Sequence, residues 1–273
     1  MTDTVRIDGR AVALAQAGSG EPLLYLHGFA DIHGASTSWL PFHEQVARDL
    51  RIVAPAHPGC AGSSEDEDIE DIEDVAFHYL RLLDALGLPR FHLVGSAIGG
   101  WIAAELAVRI PERVRSLTLI GATGLFVAGE PIGDLFMMVQ PQRGTDYSDF
   151  RRMLFRDADA PEALVMYPDG KMAVERESLR FRLFRFASRV GFSPPYFYNR
   201  KLRGRLGRFK GPSLVIAGKD DHLVPASHAK AYADELHAEP HIVDGAGNSV
   251  IVERPQEVAA LLRSHVRSAG VPA

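Results

Sequence analysis

The stretch LVGSAIGGW, from Leu93 to Trp101, constrains the fold of this chain more than any other stretch does. It has the pattern of a buried strand that turns directly into a helix, and Gly95 and Gly99 frame Ala97 within the turn. Small residues at these positions permit a strained turn and close contact between the strand and the helix that follows it. The stretch therefore predicts a strand-turn-helix unit with Ala97 at its tip.

Short apolar runs alternate with helical patterns on both sides of this turn. The runs PLLYLHG (Pro22 to Gly28) and RIVAPAHPG (Arg51 to Gly59) end in glycine or proline, which is typical of strands buried on both faces. SLTLIGATG, GPSLVIAGKDD and EPHIVDGAGN supply further strands, whereas TSWLPFHEQVARDL and PASHAKAYADELHA have helical spacing. VRIDGRAVALAQAG alternates around its Asp-Gly pair, which predicts an antiparallel hairpin at one edge. The whole pattern predicts an α/β fold with a mostly parallel, doubly wound sheet.

The stretch from about Leu125 to Lys210 interrupts this alternation, because it is helical and loop-like and contains no clear strand. We therefore predict a core domain of residues 1–124 and 211–273, with residues 125–210 inserted as a helical lid over the C-terminal edge of the sheet. The aromatic and methionine side chains of the lid are too many to lie all on the surface, so some should line an apolar pocket. They are Phe126, Phe136, Met137, Met138, Phe150, Met153, Phe155, Phe181, Phe184, Phe186, Phe192, Tyr196, Phe197 and Tyr198.

The predicted lid also carries a set of arginines that allow two interpretations. Either they form a solvated helical face, or one of them reaches inward to bind a substrate carboxylate. These residues are Arg143, Arg151, Arg152, Arg180, Arg182, Arg185 and Arg189.

One block of charge, EDEDIEDIED from Glu65 to Asp74, stands out in the predicted core domain. Acidic side chains at the N-terminus of a helix complement its dipole. We therefore predict the solvated start of a helix here, and the alternative is an ion or partner site. Apolar residues at helical spacing support the helix, namely Ile69, Ile72, Val75, Ala76, Tyr79 and Leu83.

Charge and composition exclude several classes of function. A net charge of −5 without a basic patch argues against nucleic-acid binding. The single cysteine, Cys60, cannot form an internal disulfide, and the first residues lack the features of a signal peptide. No apolar run approaches the ~18 residues that span a bilayer, so we expect a soluble, cytoplasmic protein. The sequence has no zinc-like spacing, phosphate loop or dinucleotide fingerprint, so we expect neither a metal nor a cofactor.

Four motifs fall at the ends of predicted strands, where open parallel sheets place their chemistry. A His-Gly-Phe motif at residues 27–29 follows one strand, and the glycine-rich turn around Ala97 follows another. Asp221 follows a third strand, and Asn248 lies on the loop beyond the last one. The sequence therefore predicts that these residues meet at one edge of the sheet.

The order and spacing of the four motifs resemble those of the α/β-hydrolase superfamily over essentially the whole chain. The similarity points to its lid-bearing esterase and C–C bond hydrolase branch. In that family the tip of the glycine-rich turn carries the nucleophile, so the resemblance places Ala97 at the nucleophile position. It implies that Asp221 is the acid of a catalytic triad and that Asn248 stands at the position of the histidine base. Glu253 and Pro255 retain the signature that follows this base.

The resemblance also assigns the surroundings of the triad. The backbone N–H groups of Phe29 and Ile98 would form an oxyanion hole. The implied partner is a small, largely apolar carbonyl substrate, with no nucleic acid and no membrane, and a homodimer is left open. The residues expected to bind the substrate are His27, Gly28, Ser96 and Trp101, and for His27 a role in supporting its own loop is the alternative.

Two of the three triad positions depart from the family. Ala97 has no oxygen or sulfur with which to attack a carbonyl, and the amide of Asn248 cannot shuttle a proton. The chain as written should therefore lack ordinary hydrolase turnover. Moving the nucleophile to Ser96 would place Val94 and Ile98 where the turn needs small residues, which argues against that register. His57, in a glycine-rich loop at a strand end, is an alternative catalytic residue, and His222, beside Asp221, is an alternative for the lost base.

Two explanations of these departures stay open. Alanine is serine without its Oγ, and asparagine keeps the half of histidine that donates a hydrogen bond, so we favour an inactivated form of a working hydrolase. Its chemistry would be acyl-type hydrolysis of an ester, a lactone or a C–C bond. C–C bond hydrolases typically carry Asn where Ser96 stands and an aromatic residue where Ser249 stands, which favours an ester or lactone. The other explanation is a natural non-hydrolytic relative, acting as a lyase, isomerase or ligand-binding protein in the same pocket.

Overall fold

A computed structural model of the chain describes residues 2–135, 147–170 and 173–270, and a single eight-stranded sheet forms its centre. The strands are β1 (Thr2–Ile7), β2 (Arg10–Ala17), β3 (Glu21–Leu26), β4 (Leu50–Pro55), β5 (Phe91–Ser96), β6 (Val114–Ile120), β7 (Ser213–Gly218) and β8 (Pro240–Val243). Their order in the sheet is β1-β2-β4-β3-β5-β6-β7-β8. The β1–β2 and β2–β4 pairs are antiparallel and all others are parallel, so the predicted α/β fold is confirmed.

Helices cover both faces of this sheet and connect its parallel strands. They are α1 (Pro41–Val46), α2 (Ile72–Ala85), α3 (Ile98–Arg109), α4 (Ser148–Leu154), α5 (Pro161–Met166), α6 (Val174–Gly191), α7 (Leu202–Leu206), α8 (Ala226–Leu236), α9 (Val250–Glu253) and α10 (Pro255–Ala269). No helix within the described ranges combines the length and the apolar character needed to cross a bilayer.

The predicted hairpin is present at the edge of the sheet. Asp8 and Gly9 lie at its turn, and both have positive φ angles, of 49° and 81°. Two-residue hairpin turns favour Asp-Gly for this reason, since both central residues adopt φ values that most side chains avoid. The turn therefore sets the register in which β1 pairs with β2.

The central strands are buried on both faces, and the carboxyl ends of β3, β5 and β6 lie side by side at one edge of the sheet. Every residue of β5 is buried, as expected for a strand that helices cover on both sides. At the carboxyl edge, Leu26 is paired with Gly95, and Ser96 is paired with Ile120. The loops that follow β3, β5 and β6 therefore start at the same edge of the sheet, which brings their motifs together.

Two helices differ in extent from the sequence prediction. The helix predicted over TSWLPFHEQVARDL begins only at Pro41, because proline disfavours helical backbone at the residue before it. The acidic block mostly precedes α2, which begins after Asp71, so Ile69 is buried outside the helix. The carboxylate of Asp71 accepts hydrogen bonds from the N–H groups of Glu73 and Asp74 at 2.8 and 3.1 Å. These contacts cap the helix and fix its first residue.

The predicted lid segment, residues 125–210, contains α4, α5, α6 and α7 and no β-strand in its described part. An isolated bridge joins Gly124 to Tyr198 and closes the segment at its base. α7 packs against α3 and α8 of the core. The two-part division of the chain therefore stays a prediction, because α7 lies in the lid by sequence and against the core by contact.

Candidate active site

The turn at residues 95–100, called the elbow below, places Ala97 between β5 and α3. Ala97 has φ 48° and ψ −114°, a conformation that costs a non-glycine residue about 1–3 kcal/mol. A β-carbon on Gly95 would lie 2.2 Å from the carbonyl oxygen of Gly99, and one on Gly99 would lie 2.1 Å from that of Leu26. Only glycine fits at these two positions, so the strained turn persists although the residue at its tip carries a methyl group.

The loop after β3 holds its polar backbone groups in defined directions. The N–H of Gly28 donates to Asp31 Oδ2 at 3.0 Å, and the hydroxyl of Tyr25 donates to the same oxygen at 2.6 Å. His27 Nδ1 lies 3.3 Å from the carbonyl oxygen of Gly28. Among the described residues, the N–H groups of Phe29 and Ile98 have no hydrogen-bond partner. Two buried donors are therefore available next to Ala97.

Asp31 is a buried carboxylate that organises this loop. Burial raises its pKa to about 7, although hydrogen bonds from Tyr25 and from the N–H groups of Gly28 and Ile32 act in the opposite direction. His43 Nε2 faces Asp31 Oδ1 at 3.5 Å, and burial lowers the pKa of His43 to about 3. Burial therefore disfavours the charged form of both side chains, and the hydrogen bonds that Asp31 accepts from Gly28 and Ile32 hold the loop.

Asp221 and Asn248 are in direct contact, as their positions at the strand ends predicted. Asn248 Nδ2 donates to Asp221 Oδ2 at 2.9 Å and to the carbonyl oxygen of Gly121 at 3.1 Å. Asp221 Oδ1 accepts from the N–H groups of Leu223 and Val224 at 2.9 and 2.7 Å. Burial raises the pKa of Asp221 to about 7 against these hydrogen bonds. A neutral amide here cannot supply the positive charge with which an imidazolium would favour the carboxylate.

The loop that carries Asn248 is held by the lid segment. Glu253 Oε2 accepts from the N–H of Gly247 at 2.7 Å, and its Oε1 accepts from the N–H of Arg156 at 2.8 Å. The N–H of Ser249 donates to the carbonyl oxygen of Leu154 at 2.8 Å. The end of α4 therefore fixes the base position, a contact that the sequence pattern did not indicate.

His27 and His57 form a buried stack with fixed tautomers. His57 Nε2 donates to the carbonyl oxygen of His27 at 3.0 Å, so its Nδ1 accepts from the hydroxyl of Tyr79. The backbone N–H of His57 donates to His27 Nε2 at 3.2 Å, which leaves the His27 hydrogen on Nδ1 toward Gly28. Burial lowers the pKa of both imidazoles, that of His57 to about 3. Both rings are engaged within the protein, and substrate contact by His27 stays a prediction.

Ser96 ends β5 directly before Ala97, and Trp101 follows Ala97 on α3. The point at which a β-carbon on Gly28 would lie is 3.0 Å from Ser96 Oγ and 3.1 Å from the Ala97 methyl carbon, so these groups and Gly28 are neighbours. Trp101 is buried on α3, and its indole N–H points to Glu105 Oε1 at 3.4 Å. The other predicted base candidate, His222, is exposed beside Asp221.

A cavity of about 350 Å³ lies between the lid segment and α8. Several predicted pocket aromatics line it, but Ala97, Asp221 and Asn248 are not among its described lining residues. Phe136, Met137 and Met138 lie outside the described residues. The aromatic lining residues are Phe126, Phe192, Tyr196, Phe197 and Tyr198.

The lid arginines do not behave as one group. Neither the solvated face nor the inward, substrate-binding arginine describes all of them. Arg151 and Arg180 are fully buried, so a solvated face is wrong for these two, and their guanidinium groups are bound by protein oxygens. Arg182 and Arg189 donate to carbonyl oxygens of the segment that carries the acidic block, at 3.0 and 2.9 Å. Arg185 pairs with Glu65 and Arg152 with Asp149. Arg143 lies outside the described residues.

The described part of the chain contains no group of three or more His, Cys, Asp or Glu side chains arranged to hold a metal ion. The site brings together the following polar groups of the chain. These are two buried N–H donors beside a methyl group, and an amide hydrogen-bonded to a buried carboxyl group.

Comparisons with known proteins agree with the α/β fold of the chain. A family model described as alpha/beta hydrolase fold matches residues 21–255. The chain is 27% identical to 2-hydroxymuconate semialdehyde hydrolase of Pseudomonas sp. (strain CF600), covering 95% of this chain and 92% of that protein. It is 28% identical to poly(3-hydroxyalkanoate) depolymerase of Ectopseudomonas oleovorans, covering 95% and 90%. A serine hydrolase structure from Cycloclasticus zankles has a similar fold, with a TM-score of 0.79, 20% identity and coverage of 100% and 99%.

Proposed function

The chain belongs to the α/β-hydrolase fold family, and we propose that its elbow site binds a small, largely apolar carbonyl compound without hydrolysing it. The scaffold is that of an enzyme for acyl-type hydrolysis of an ester, a lactone or a C–C bond. The similarity to a 2-hydroxymuconate semialdehyde hydrolase and to a poly(3-hydroxyalkanoate) depolymerase supports this range of substrates. In this chain the nucleophile and base are replaced by Ala97 and Asn248.

The observation that carries the proposal is the strained turn at Ala97, which remains intact beside two N–H groups without hydrogen-bond partners in the described structure. Preorganised N–H donors stabilise the negative charge that develops on a carbonyl oxygen during acyl transfer. We assign this role to Phe29 and Ile98. Neither N–H depends on a serine oxygen or an imidazole, so the carbonyl-binding part of the site is retained.

The loss of hydrolysis follows from the two altered side chains. The methyl group of Ala97 cannot form an acyl-enzyme, and Asn248 donates to Asp221 as a histidine would but cannot accept a proton from a nucleophile. Removal of a triad member costs on the order of 10⁶ in kcat in a well-studied serine hydrolase. A ligand with a hydrolysable bond should therefore remain intact in the site.

A second candidate function is that of a lyase, an isomerase or a ligand-binding protein acting at the same site. The observation that favours it is the replacement of two positions, because either change alone would abolish hydrolysis. In this case the working groups would be sought among His27, His57 and the arginines of the lid segment.

The test is to restore the missing groups singly and together. Ala97→Ser alone and Asn248→His alone should stay nearly inert, because each lacks its partner. The double variant should hydrolyse activated esters or lactones at least about 10³-fold faster than either single variant. Its activity should rise as the new histidine loses its proton, near the ordinary pKa of ~6.5.

The assay is a panel of activated esters, lactones and vinylogous diketones, applied to all four proteins across pH. Circular dichroism and thermal melting establish that each variant is folded. A folded double variant that stays inert, together with a parent chain that converts a carbonyl compound without adding water, would contradict the hydrolase proposal and support the second function.

A further inference from the structure

A tyrosine of the lid segment reaches the loop that carries Phe29. Tyr167, at the end of α5, is fully buried, and its hydroxyl donates a hydrogen bond of 2.7 Å to the carbonyl oxygen of Phe29. Burial raises the pKa of Tyr167 above its ordinary value, so the hydroxyl keeps its proton. The contact joins residues 138 positions apart in the chain, and it ends one peptide group from the N–H that we assign to carbonyl binding.

Two buried arginines hold this tyrosine. Arg180 Nε donates to the carbonyl oxygen of Met166 at 2.9 Å, and its guanidinium carbon lies 5.2 Å from the centre of the Tyr167 ring. Arg151 Nη1 donates to the carbonyl oxygen of Tyr167 at 2.7 Å and to Asp169 Oδ1 at 2.7 Å. The backbone and the ring of Tyr167 are thus fixed from two helices, α4 and α6.

The side chain of Phe29 is packed by the same cluster. Its ring meets that of Phe150 edge to face, with 5.7 Å between the ring centres. Phe150 in turn meets the ring of Tyr167 at 5.1 Å and that of Phe184 at 5.0 Å. The lid segment therefore contacts Phe29 through both its ring and its carbonyl oxygen.

We propose that Tyr167 is a positioning residue that sets the direction of the Phe29 N–H, and that Arg151 and Arg180 hold Tyr167 in place for this task. This inference rests on the proposed function, in which that N–H binds a carbonyl oxygen. The peptide group that carries this N–H is held through its carbonyl oxygen, that of Gly28, which lies 3.3 Å from His27 Nδ1. The peptide group before it is held by the hydrogen bond from the Gly28 N–H to Asp31. The Tyr167 hydroxyl fixes the peptide group that follows, so rotation about Phe29 is restrained on both sides.

Restraint of this kind matters because hydrogen bonds to a developing oxyanion depend steeply on position. A misplacement of about 1 Å can cost ~10² in rate. The buried arginines would therefore affect carbonyl binding through Tyr167, without contacting the substrate. Any displacement of the lid segment that separates Tyr167 from Phe29 would also release the carbonyl-binding N–H, so the lid segment and the loop after β3 are coupled.

The test uses Tyr167→Phe, with Tyr147→Phe as the matched control. Tyr147 belongs to the same aromatic cluster, 5.4 Å from Tyr167 between ring centres, but its hydroxyl donates to Glu177 at 3.0 Å. The probe is phenyl acetate labelled with heavy carbon at its carbonyl. Difference infrared spectroscopy reads the carbonyl stretch of the bound probe, which falls in frequency as hydrogen bonds to its oxygen strengthen.

We expect a lowered carbonyl frequency in the parent and in Tyr147→Phe, and a shift back toward the value in water by at least half in Tyr167→Phe. Loss of stability alone would reduce the amount of bound probe without changing this frequency. An unchanged frequency in Tyr167→Phe, with the probe bound, would overturn the positioning role. A parent that does not bind the probe would count against the proposed function instead.

A second measurement decides the positioning role without any ligand. Amide hydrogen exchange of the Gly28 N–H, which is bonded to Asp31, should become at least about tenfold faster in Tyr167→Phe, because the loop opens more often. The Tyr147→Phe variant should keep the rate of the parent. Equal exchange rates in the two variants would contradict the proposal.

Discussion

The elbow and the lid segment hold their buried groups by different means. In the elbow, Gly95 and Gly99 bring backbone atoms so close that no side chain fits, and the strained conformation of Ala97 follows from this packing. In the lid segment, the long side chains of Arg151 and Arg180 bind carbonyl oxygens inside the protein. Backbone packing leaves a glycine signature in the sequence. Buried arginines leave none, because the same residues are equally suited to a solvated surface.

The largest expected effect is a difference in stability between a glycine-to-alanine change in the elbow and one in the lid segment. Gly99→Ala in the elbow places a β-carbon 2.1 Å from the carbonyl oxygen of Leu26, so the backbone must move. We expect a loss of more than about 3 kcal/mol in the free energy of unfolding, or no folded protein. Gly204→Ala, in α7 of the lid segment, meets no atom within 4 Å and should be neutral or stabilising by up to about 1 kcal/mol.

Urea unfolding of the parent and both glycine variants provides the measurement. Similar stabilities for Gly99→Ala and Gly204→Ala would show that a β-carbon fits in the elbow. Close backbone packing would then not be what holds the elbow.

The second effect concerns the buried arginines of the lid segment. Arg151→Met removes the donor to the carbonyl oxygens of Ala158 and Tyr167, leaving buried acceptors without a partner. We expect a loss of about 2–3 kcal/mol in the free energy of unfolding. Arg152→Met changes the neighbouring, exposed arginine, whose pairing with Asp149 should contribute less than about 1 kcal/mol.

Thermal melting with calorimetry distinguishes these outcomes. Equal losses for Arg151→Met and Arg152→Met would mean that the lid segment is not held by internal arginine bonds. The proposed support of Tyr167 would then lose its physical basis.

The smallest effect, taken per pH unit, is a pH dependence of stability at Asp221. Its pKa is raised to about 7 in the folded protein, so between the ordinary value of 3.8 and 7 the folded chain binds more protons than the unfolded chain. The contribution of Asp221 to stability therefore falls as the pH rises through this range. Asp221→Asn should gain stability relative to the parent from pH 4 to 7, by at most about 1.4 kcal/mol per pH unit.

The difference between variant and parent is the quantity to measure, because the buried histidines contribute equally to both and cancel. Asp220→Asn, which removes the neighbouring half-buried carboxylate, is the control for the loss of one negative charge. A difference for Asp221→Asn that does not change with pH would show that the burial of Asp221 does not penalise its charge.

Much of the site could be predicted from the sequence, because strand ends and glycines fix the backbone that carries it. The contact between Asp221 and Asn248 follows from their places after neighbouring strands, and the elbow follows from the spacing of its glycines. The early start expected for α1 was wrong, because the residue before Pro41 is excluded from the helix. Ile69 kept its predicted burial but lies outside α2, because Asp71 caps the helix after it.

The contacts of Tyr167, Arg151 and Leu154 could not be predicted in this way. Each depends on where the lid segment lies over the sheet, and that placement is decided by packing between residues far apart in the chain. Glu253 shows how far the sequence alone can indicate the contacts of a residue. The sequence marks it as part of a signature, but only the structure shows its carboxylate holding the N–H groups of Gly247 and Arg156.

We propose that the N–H groups of Phe29, on the loop after β3, and of Ile98, in the elbow, bind a carbonyl oxygen although the chain cannot cleave the ligand. The most direct measurement is a crystal structure of the parent chain soaked with phenyl acetate. We expect an intact ester whose carbonyl oxygen lies about 2.7–3.1 Å from both nitrogen atoms. Cleaved products, or an ester whose carbonyl oxygen lies away from these nitrogen atoms, would contradict the account.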